Sequence, residues 1–495
     1  MKFVIVGGVA GGASAAARLR RLDESAEIVM LEKGEFVSYA NCGLPYFIGG
    51  AIKDRENLIV TKPIIFKERF NIDLRTLSEA VKINRAKKTV TVKNLKDGTT
   101  YEESYDKLIL SPGAKPKRPN LPGIGTEGIF TLRTVPDTLA IDEYIRRKGA
   151  SSAVIVGAGF IGIEMAENLI ERGLDVTVVE FLDQAIASLD PEMAAFLHRH
   201  IRENGVKLLF KTGVSGFEKG EPIKVLLSDG RALDTDMVIL SIGVAPENEL
   251  ARDAGLELGA GGGIKTDEAY RTSDPDIYAV GDAITVENLV SGAETLIPLA
   301  GPANKQGRLA AENALGGKEI KSRGVLGSAV VKIFDMTAAS TGLNEKQCRA
   351  LNIPYLKTYI HPASHASYYP NSTQLSMKLI FAPDGKILGA QAVGFDGADK
   401  RIDVIATAMR LGGTVYDLEE LELCYAPPYS SAKDPVNMLG FTAANILKGD
   451  VKVFHFDEVD GLDLEKVTLL DVRTREEYAM GTPAGSVNIP VDELR

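Results

Sequence analysis

One pattern occurs twice in the sequence, as FVIVGGVAGGASAAARLRRLDESAEIVMLE at residues 3–32 and as AVIVGAGFIGIEMAENLIERGLDVTVVE at residues 153–180. In each copy, β-branched residues predict a buried strand, glycines follow at a turn, a helix comes next, and a carboxylate closes a second strand. This order is typical of a βαβ unit in which the turn and the helix N-terminus bind a pyrophosphate. Two such units in one chain predict two bound dinucleotides.

The second copy carries a complete GxGxxG motif. Its glycines allow the tight turn, the approach of the backbone to a pyrophosphate, and close packing of helix on strand. Glu180 closes the next strand, where its carboxylate can accept hydrogen bonds from a ribose and would repel a 2′-phosphate. We therefore expect NADH to be preferred, with NADPH possible, since neither residue 181 nor residue 182 is basic. The predicted NAD(P)H-binding residues are Gly157, Gly159, Phe160, Ile161, Gly162 and Glu180.

The first copy departs from the motif, because Val9 occupies the second glycine position. Neighbouring glycines still leave the turn flexible. Asp282 follows a buried strand far along the chain, and its carboxylate is suited to bind a ribityl hydroxyl of FAD. We therefore assign FAD to the first unit and the nicotinamide to the second. The predicted FAD-binding residues are Gly7, Gly8, Val9, Ala10, Gly11, Gly12, Glu32 and Asp282.

A cysteine follows the strand of Glu32 closely, in the segment SYANCGLPY at residues 38–46. This position predicts that Cys42 lies near the flavin, where the start of a helix can hold it as a thiolate. Phe47 stands where a CxxxxC pair would have its second thiol. Electrons that reach Cys42 must then leave through an external sulfur or a sulfenic acid. The other two cysteines, Cys348 and Cys424, are expected to be structural.

Composition narrows the classes of protein further. The 495 residues suggest about three domains, and 45% hydrophobic with 25% charged residues is ordinary globular usage. A net charge of −10 argues against a nucleic-acid-coating protein. Three cysteines cannot form a disulfide framework, and no apolar run reaches about 18 residues, so we expect a cytoplasmic protein without a membrane span. We predict no metal site.

Two arginines share one face of the first predicted helix. Ser14, Arg18 and Arg21 are spaced i, i+4 and i+7. The two guanidinium groups would repel each other unless an anion lies between them. A phosphate-rich substrate would supply that anion, and a solvated basic face is the alternative.

Several segments together resemble a known group of enzymes: GGVAGGASAAARLRRL, SYANCGLPY, YDKLILSPGA, YAVGDA, HASYYP and YAPPYSSAKD. They are similar to the single-cysteine coenzyme A-disulfide reductases, which are flavoprotein pyridine nucleotide-disulfide oxidoreductases. The resemblance implies an α/β fold with two Rossmann-like dinucleotide-binding domains and an α+β dimerisation domain. It also implies an FAD-dependent enzyme that passes electrons from NAD(P)H through flavin and Cys42 to CoA disulfide, CoA persulfide or polysulfide.

The same resemblance implies roles for particular residues in a homodimer. Tyr368 and Tyr425 would reach the partner's Cys42 and protonate the departing thiolate. Phe70 stands where some members carry a basic residue. The positions that match CoA-binding residues are Ser14, Arg18, Arg21, Ser38, Asn41 and Lys433.

The end of the chain resembles a different fold. Residues 467–495 look like the first half of a rhodanese domain, with one strand at 467–473 and a helical turn at 475–478, but no cysteine follows Arg473. The fused form is similar to NADH-dependent CoA persulfide and polysulfide reductases. The predicted domains are FAD-binding at 1–112 and 240–322, NAD(P)H-binding at 113–239, dimerisation at 323–448, and a truncated α/β rhodanese-like tail at 449–495.

Three alternative functions stay open on the sequence alone. An NADH oxidase or peroxidase would use Cys42 as a sulfenic acid and would need no anion site. A sulfur-relay sulfurtransferase would need a complete rhodanese domain. A non-catalytic flavoprotein scaffold would bind FAD without oxidising NADH.

Overall fold

The computed structural model describes residues 1–494. The first copy of the repeated pattern lies in the middle of a five-stranded parallel sheet with strand order Ile277–Ala279, Lys107–Leu110, Lys2–Val6, Glu27–Leu31 and Asp73–Arg75. Two helices, Ala10–Leu22 and Ala300–Leu315, pack against each other and against this sheet. An antiparallel sheet follows in the chain, with strands Ser78–Asn84, Thr89–Asn94 and Thr100–Ser104. Short segments complete the unit: Asn41–Gly43, Leu44–Ile48, Arg55–Leu58, Pro63–Glu68, Glu249–Asp253, Ala260–Gly262, Gly281–Ala283, Val286–Glu287 and Glu294–Thr295.

The second copy forms another five-stranded parallel sheet, in the order Lys207–Leu209, Asp175–Val179, Ser152–Val156, Met237–Leu240 and Ile129–Thr131. Its helices are Val135–Lys148, Phe160–Glu171 and Pro191–Glu203, and its antiparallel strands are Val214–Glu218, Ile223–Leu227 and Ala232–Thr235. The chain crosses between the two units twice, and the crossings pair as antiparallel strands Ala114–Pro116 and Val244–Pro246. The second unit is thus inserted into the first.

After the second crossing the chain completes the first unit, and a third unit follows helix Ala300–Leu315. Its antiparallel sheet has the order Ala329–Ile333, Met336–Gly342, Ile387–Gly394, Leu375–Phe381 and Leu356–Ile360. Its helices are Glu345–Ala350, Ala398–Leu411, Val415–Glu420 and Pro435–Lys448. The predicted α/β class, with two Rossmann-like units and an α+β unit, is confirmed.

A buried lysine joins the second and third units. Lys378 is completely buried, and its Nζ lies 2.7 Å from Asp190 and also contacts Glu192 and Glu345. Burial opposes the charge of Lys378, but the surrounding carboxylates outweigh it and raise its pKa. Removing one member of such a cluster leaves an unpaired buried charge, so this cluster fixes how the two units pack.

The tail differs from its predicted form. Two short strands, Leu470–Asp471 and Val487–Asn488, pair in parallel beside helix Arg475–Ala479, so the expectation of a single strand was wrong. Turns of 3₁₀ helix lie at Phe456–Gly461 and Val491–Glu493. None of residues 450–494 is buried, and residue 495 of the predicted tail lies outside the described residues. Within residues 1–494, no helix is long and apolar enough to span a membrane.

Candidate active site

A single large cavity brings most of the predicted site residues together. Its volume of about 2080 Å³ exceeds the roughly 300–1,000 Å³ of common ligand pockets, so it has room for more than one ligand. Both glycine turns open into it, and Cys42 lines it as well. The predicted residues that line it are Gly7, Val9, Ala10, Gly11, Ser14, Arg18, Arg21, Glu32, Ser38, Asn41, Cys42, Gly157, Gly159, Phe160, Ile161, Glu180 and Asp282.

The first glycine turn is held by contacts within the protein. A Cβ on Gly7 would lie 2.1 Å from the Ser111 carbonyl oxygen, and one on Gly12 would lie 1.9 Å from the Gly7 oxygen. The Glu32 carboxylate accepts hydrogen bonds from the N–H groups of Gly8 at 2.8 Å and Gly34 at 2.7 Å. Val9 instead lines the cavity, which explains why the fold tolerates its side chain.

The second turn repeats this geometry with one informative difference. Gly157 has φ +104°, and a Cβ on Gly162 would lie 2.0 Å from its carbonyl oxygen. A Cβ on Gly159 would meet no protein atom within 4 Å, although Gly159 lines the cavity. The protein itself gives no reason for glycine there, whereas a pyrophosphate close to the backbone does. Glu180 accepts from the Ala158 and Leu182 N–H groups at 2.7 and 2.8 Å, as Glu32 does in the first turn.

Cys42 lies in the 3₁₀ turn Asn41–Gly43, directly before the short helix Leu44–Ile48. Burial raises the pKa of its thiol, and the Glu164 and Asp282 carboxylates add to that shift, while Arg133 opposes it. The raised pKa runs against the expectation that the helix dipole and hydrogen bonds hold Cys42 as a thiolate. A helix of five residues offers little dipole against two nearby carboxylates.

Sequence reasoning missed Glu164, which lines the same cavity. Its side chain is carried by helix Phe160–Glu171, and burial raises its pKa to about 7. The Tyr46 hydroxyl lies 3.5 Å from Glu164 Oε1 and opposes the shift. Helical spacing could have signalled this position, because residue 164 is one turn after residue 160 of the GxGxxG motif.

The predicted basic face meets a carboxylate of the protein. Arg18 forms an ion pair with Glu312 at 2.6 Å, and the Arg21 guanidinium lies 5.5 Å from the centre of the Phe70 ring. Ser14 donates a hydrogen bond to Asn304 at 2.6 Å. Glu312 thus supplies one anion that we had expected from a ligand.

Three predicted residues lie on the third unit, outside the cavity of their own chain. Tyr368 and Tyr425 are exposed, and their hydroxyl oxygens are 2.7 Å apart. This hydrogen bond raises the pKa of Tyr425. Lys433 is also exposed. Of the two cysteines expected to be structural, Cys348 is buried but Cys424 is exposed, so Cys424 does not pack in a core.

Residues 1–307 match the family described as pyridine nucleotide-disulphide oxidoreductase, and residues 328–435 match the dimerisation domain of that family. The chain belongs to the pyridine nucleotide-disulphide oxidoreductases. It is thus an oxidoreductase. Coenzyme A disulfide reductase from Staphylococcus epidermidis is 38% identical over 443 residues, which are 89% of this chain and 99% of that protein.

Two solved structures extend the comparison of this oxidoreductase over its whole length. Reduced Bacillus anthracis CoADR-RHD is 53% identical, with a TM-score of 0.98 over 100% of this chain and 89% of that chain. An NAD-dependent persulfide reductase from A. fulgidus is 38% identical, with a TM-score of 0.94 over 100% of this chain and 91% of that chain. The resemblance to coenzyme A-disulfide reductases expected from the sequence is confirmed.

Proposed function

We propose that the protein passes electrons from NADH, or less efficiently NADPH, through FAD and Cys42 to CoA disulfide, CoA persulfide or polysulfide. The observation that carries this proposal is that both glycine turns and Cys42 line one cavity. The coenzyme A disulfide reductase relative and the persulfide reductase structure support the substrate class. Cys42 acts without a second thiol close to it in sequence, because Phe47 occupies the CxxxxC position.

The two turns divide the cofactors between them. Gly7 to Gly12, Glu32 and Asp282 would hold FAD, and Gly157 to Gly162 with Glu180 would hold NADH. When bound, FAD accepts a hydride from the nicotinamide and gives two electrons to a disulfide. The open space above Gly159 supports a close pyrophosphate approach at the second turn.

The sulfur chemistry belongs to Cys42. Its thiolate attacks one sulfur of CoA disulfide, which forms a Cys42–S–S–CoA mixed disulfide and expels one CoA thiolate. Two electrons then cleave the mixed disulfide into the Cys42 thiolate and a second CoA thiolate. With CoA persulfide, attack on the sulfur next to CoA expels hydrosulfide and forms the same mixed disulfide. Attack on the outer sulfur expels CoA thiolate and forms a Cys42 persulfide, which two electrons cleave into the Cys42 thiolate and hydrosulfide. Tyr368 and Tyr425 of a second copy protonate the leaving sulfur, because phenols are acids at neutral pH.

We propose a cytoplasmic homodimer with the domain bounds inferred from the sequence, including a partial rhodanese-like tail at 449–495. The exposed tyrosine pair and Lys433 on the third unit favour a second copy as their partner, since none of the three lines the cavity of its own chain. The match to a dimerisation domain at residues 328–435 supports the same arrangement. Ser14, Ser38 and Asn41 complete the proposed CoA site.

The decisive experiment is an anaerobic NADH titration with four acceptors: CoA disulfide, CoA persulfide, peroxide and oxygen. Fast turnover with either CoA acceptor supports the proposal. Turnover with peroxide or oxygen alone would replace it with the oxidase or peroxidase function. Failure to oxidise NADH with any acceptor would leave a non-catalytic flavoprotein.

Replacing Glu180 is expected to reduce the preference of the enzyme for NADH over NADPH. The lost contact between carboxylate and ribose is a hydrogen bond to a charged group, worth about 1.5–3 kcal/mol, which is about tenfold or more in affinity. The measurement is the ratio of kcat/KM for NADH to that for NADPH in the wild type and in Glu180→Ala. A wild-type preference for NADPH would contradict the assigned role of Glu180.

The double variant Arg18→Ala/Arg21→Ala should raise KM for CoA disulfide much more than KM for a small polysulfide, because only CoA carries phosphates. Added salt should weaken CoA binding in the same direction, since exposed charges are screened over about 8 Å at physiological ionic strength. Glu312→Gln is a useful control, because it removes the carboxylate paired with Arg18 while leaving both arginines. Equal KM changes for both substrates would favour a solvated basic face.

The tail is expected to contribute no sulfurtransferase activity. A rhodanese carries sulfur on a thiolate, and no cysteine follows residue 424. The test is sulfur transfer from thiosulfate to cyanide by the 495-residue chain in a Cys42→Ser background. Activity that persists there would make Cys348 or Cys424 a sulfur carrier, against this prediction.

A further inference from the structure

Arg133 bridges the two nucleotide-binding units beside Cys42. It lies in the connection before helix Val135–Lys148 of the second unit, yet its guanidinium contacts the first unit. Its Nε donates a hydrogen bond to the Ala114 carbonyl oxygen at 2.8 Å, and its Nη2 lies 3.7 Å from Asp282 Oδ2. Sequence reasoning gave no signal for this residue, because its partners are distant in the chain.

The same guanidinium contacts the turn that carries Cys42. With the Asn41 amide oriented to suit its neighbours, its oxygen accepts from Arg133 Nη1 at 2.8 Å and its nitrogen donates to the Tyr39 carbonyl at 3.3 Å. Asp137 fixes the backbone of Arg133 by accepting its N–H at 3.0 Å. The guanidinium therefore spans the Cys42 turn, the Asp282 turn and the crossing at Ala114.

The charges that face Cys42 come from four elements. Glu164 and Asp282 both disfavour its thiolate, and Arg133 favours it. Burial raises the pKa of the Tyr46 phenol, and the charge of Cys42 adds to that shift. Arg133 also opposes the effect of burial on Asp282. One cation thus acts on both Cys42 and Asp282.

We propose that Arg133 is a positioning residue that ties the Cys42 turn to Asp282 and stabilises the Cys42 thiolate against the two facing carboxylates. This inference rests on the proposed function, because that function makes Cys42 the reacting thiol. It differs from the predicted sites, which assign Arg133 no role. Arg133 belongs to the connection that precedes helix Val135–Lys148 of the second unit. Through its guanidinium, the second unit therefore controls the reactivity of a thiol in the first unit.

The test measures the pKa of Cys42 in the FAD-loaded protein, from the pH dependence of its alkylation by iodoacetamide, with mass spectrometry of the Cys42 peptide. A Cys424→Ser background removes the other exposed thiol. Arg133→Gln should slow alkylation at pH 7 severalfold, because loss of the cation raises the pKa of Cys42. Arg133→Lys should keep most of the wild-type rate, because it retains the charge. Arg147→Gln, which removes a surface arginine paired with Glu127, should change nothing.

An unchanged pKa of Cys42 in Arg133→Gln would overturn the inference. An Arg133→Lys variant alkylated as slowly as Arg133→Gln would also overturn it. A charge effect predicts different rates for the two variants, whereas a purely structural role predicts the same rate. If Arg133→Gln does not fold, Arg133→Met takes its place as the neutral variant: a raised pKa of Cys42 in Arg133→Met beside a wild-type pKa in Arg133→Lys supports the inference, and equal pKa values in the two variants overturn it. Alkylation needs no substrate, so this outcome is separate from the proposed function, which fails if Cys42→Ser retains turnover.

Discussion

Cys42→Ser is expected to keep its FAD and to be reduced by NADH, while turnover with CoA disulfide falls by more than about a thousandfold, because a hydroxyl cannot form the mixed disulfide. The flavin absorbance measures cofactor content and reduction by NADH, and release of free CoA thiol measures turnover. If NADH still reduces the flavin of the variant, the loss of turnover is due to the sulfur step and not to damaged nucleotide sites. The side chain change is nearly isosteric, so the packing of the Asn41–Gly43 turn should persist.

Cys424→Ser is the matched control, because Cys424 is the other exposed thiol of the chain. It does not line the cavity of its own chain and should leave turnover unchanged if Cys42 alone carries the chemistry. Wild-type turnover in Cys42→Ser would move the reaction to Cys348 or Cys424. That result would end the proposed mechanism, whichever acceptor the enzyme uses.

The nucleotide-binding turns could be predicted from sequence because their determinants are local. Gly7 and Gly12 are five residues apart, and a Cβ on Gly12 would lie 1.9 Å from the Gly7 carbonyl oxygen. The acid that closes each unit follows after one helix and one strand, and in both units it accepts backbone N–H groups of the turn. A repeated short pattern therefore carried most of the information about the fold.

The electrostatics of the site could not be predicted in the same way. The sequence predicted Cys42 near the first nucleotide-binding turn, and both line one cavity, but the sign of its pKa shift depends on burial and on groups from three distant segments. The raised pKa of Glu164 likewise comes first from burial, which a sequence pattern does not report. Arg133 is 92 residues from Asn41 in the chain, so nothing local links the two.

The tail shows the same limit for strand pairing. Leu470–Asp471 pairs with Val487–Asn488 across a helix and a turn, and a strand of two residues leaves almost no periodic signal. Its exposed apolar residues also give no alternation that would separate an inner face from an outer one.

Gly162→Ala should sharply reduce reduction by NADH without loss of FAD. The added Cβ would lie 2.0 Å from the Gly157 oxygen and 2.7 Å from Ser241 Oγ, so the helix N-terminus has to move away from the turn. Overpacking of this kind costs about 1–3 kcal/mol. If the turn distorts to relieve that strain, NADH affinity falls by about 10- to 100-fold. The measurement is the NADH concentration dependence of flavin reduction, with dithionite reduction showing that the flavin itself is intact.

Gly159→Ala separates the protein's own packing from the ligand's approach. No protein atom lies within 4 Å of its added Cβ, so thermal stability should stay at the wild-type level. A loss of NADH affinity in this variant would then come from the methyl group meeting the pyrophosphate. Val9 already occupies the corresponding position of the first turn, so Val9→Gly should change FAD retention little. If Gly159→Ala binds NADH as the wild type does, the pyrophosphate does not approach this turn closely, and the assignment of the second unit to NADH loses its structural support.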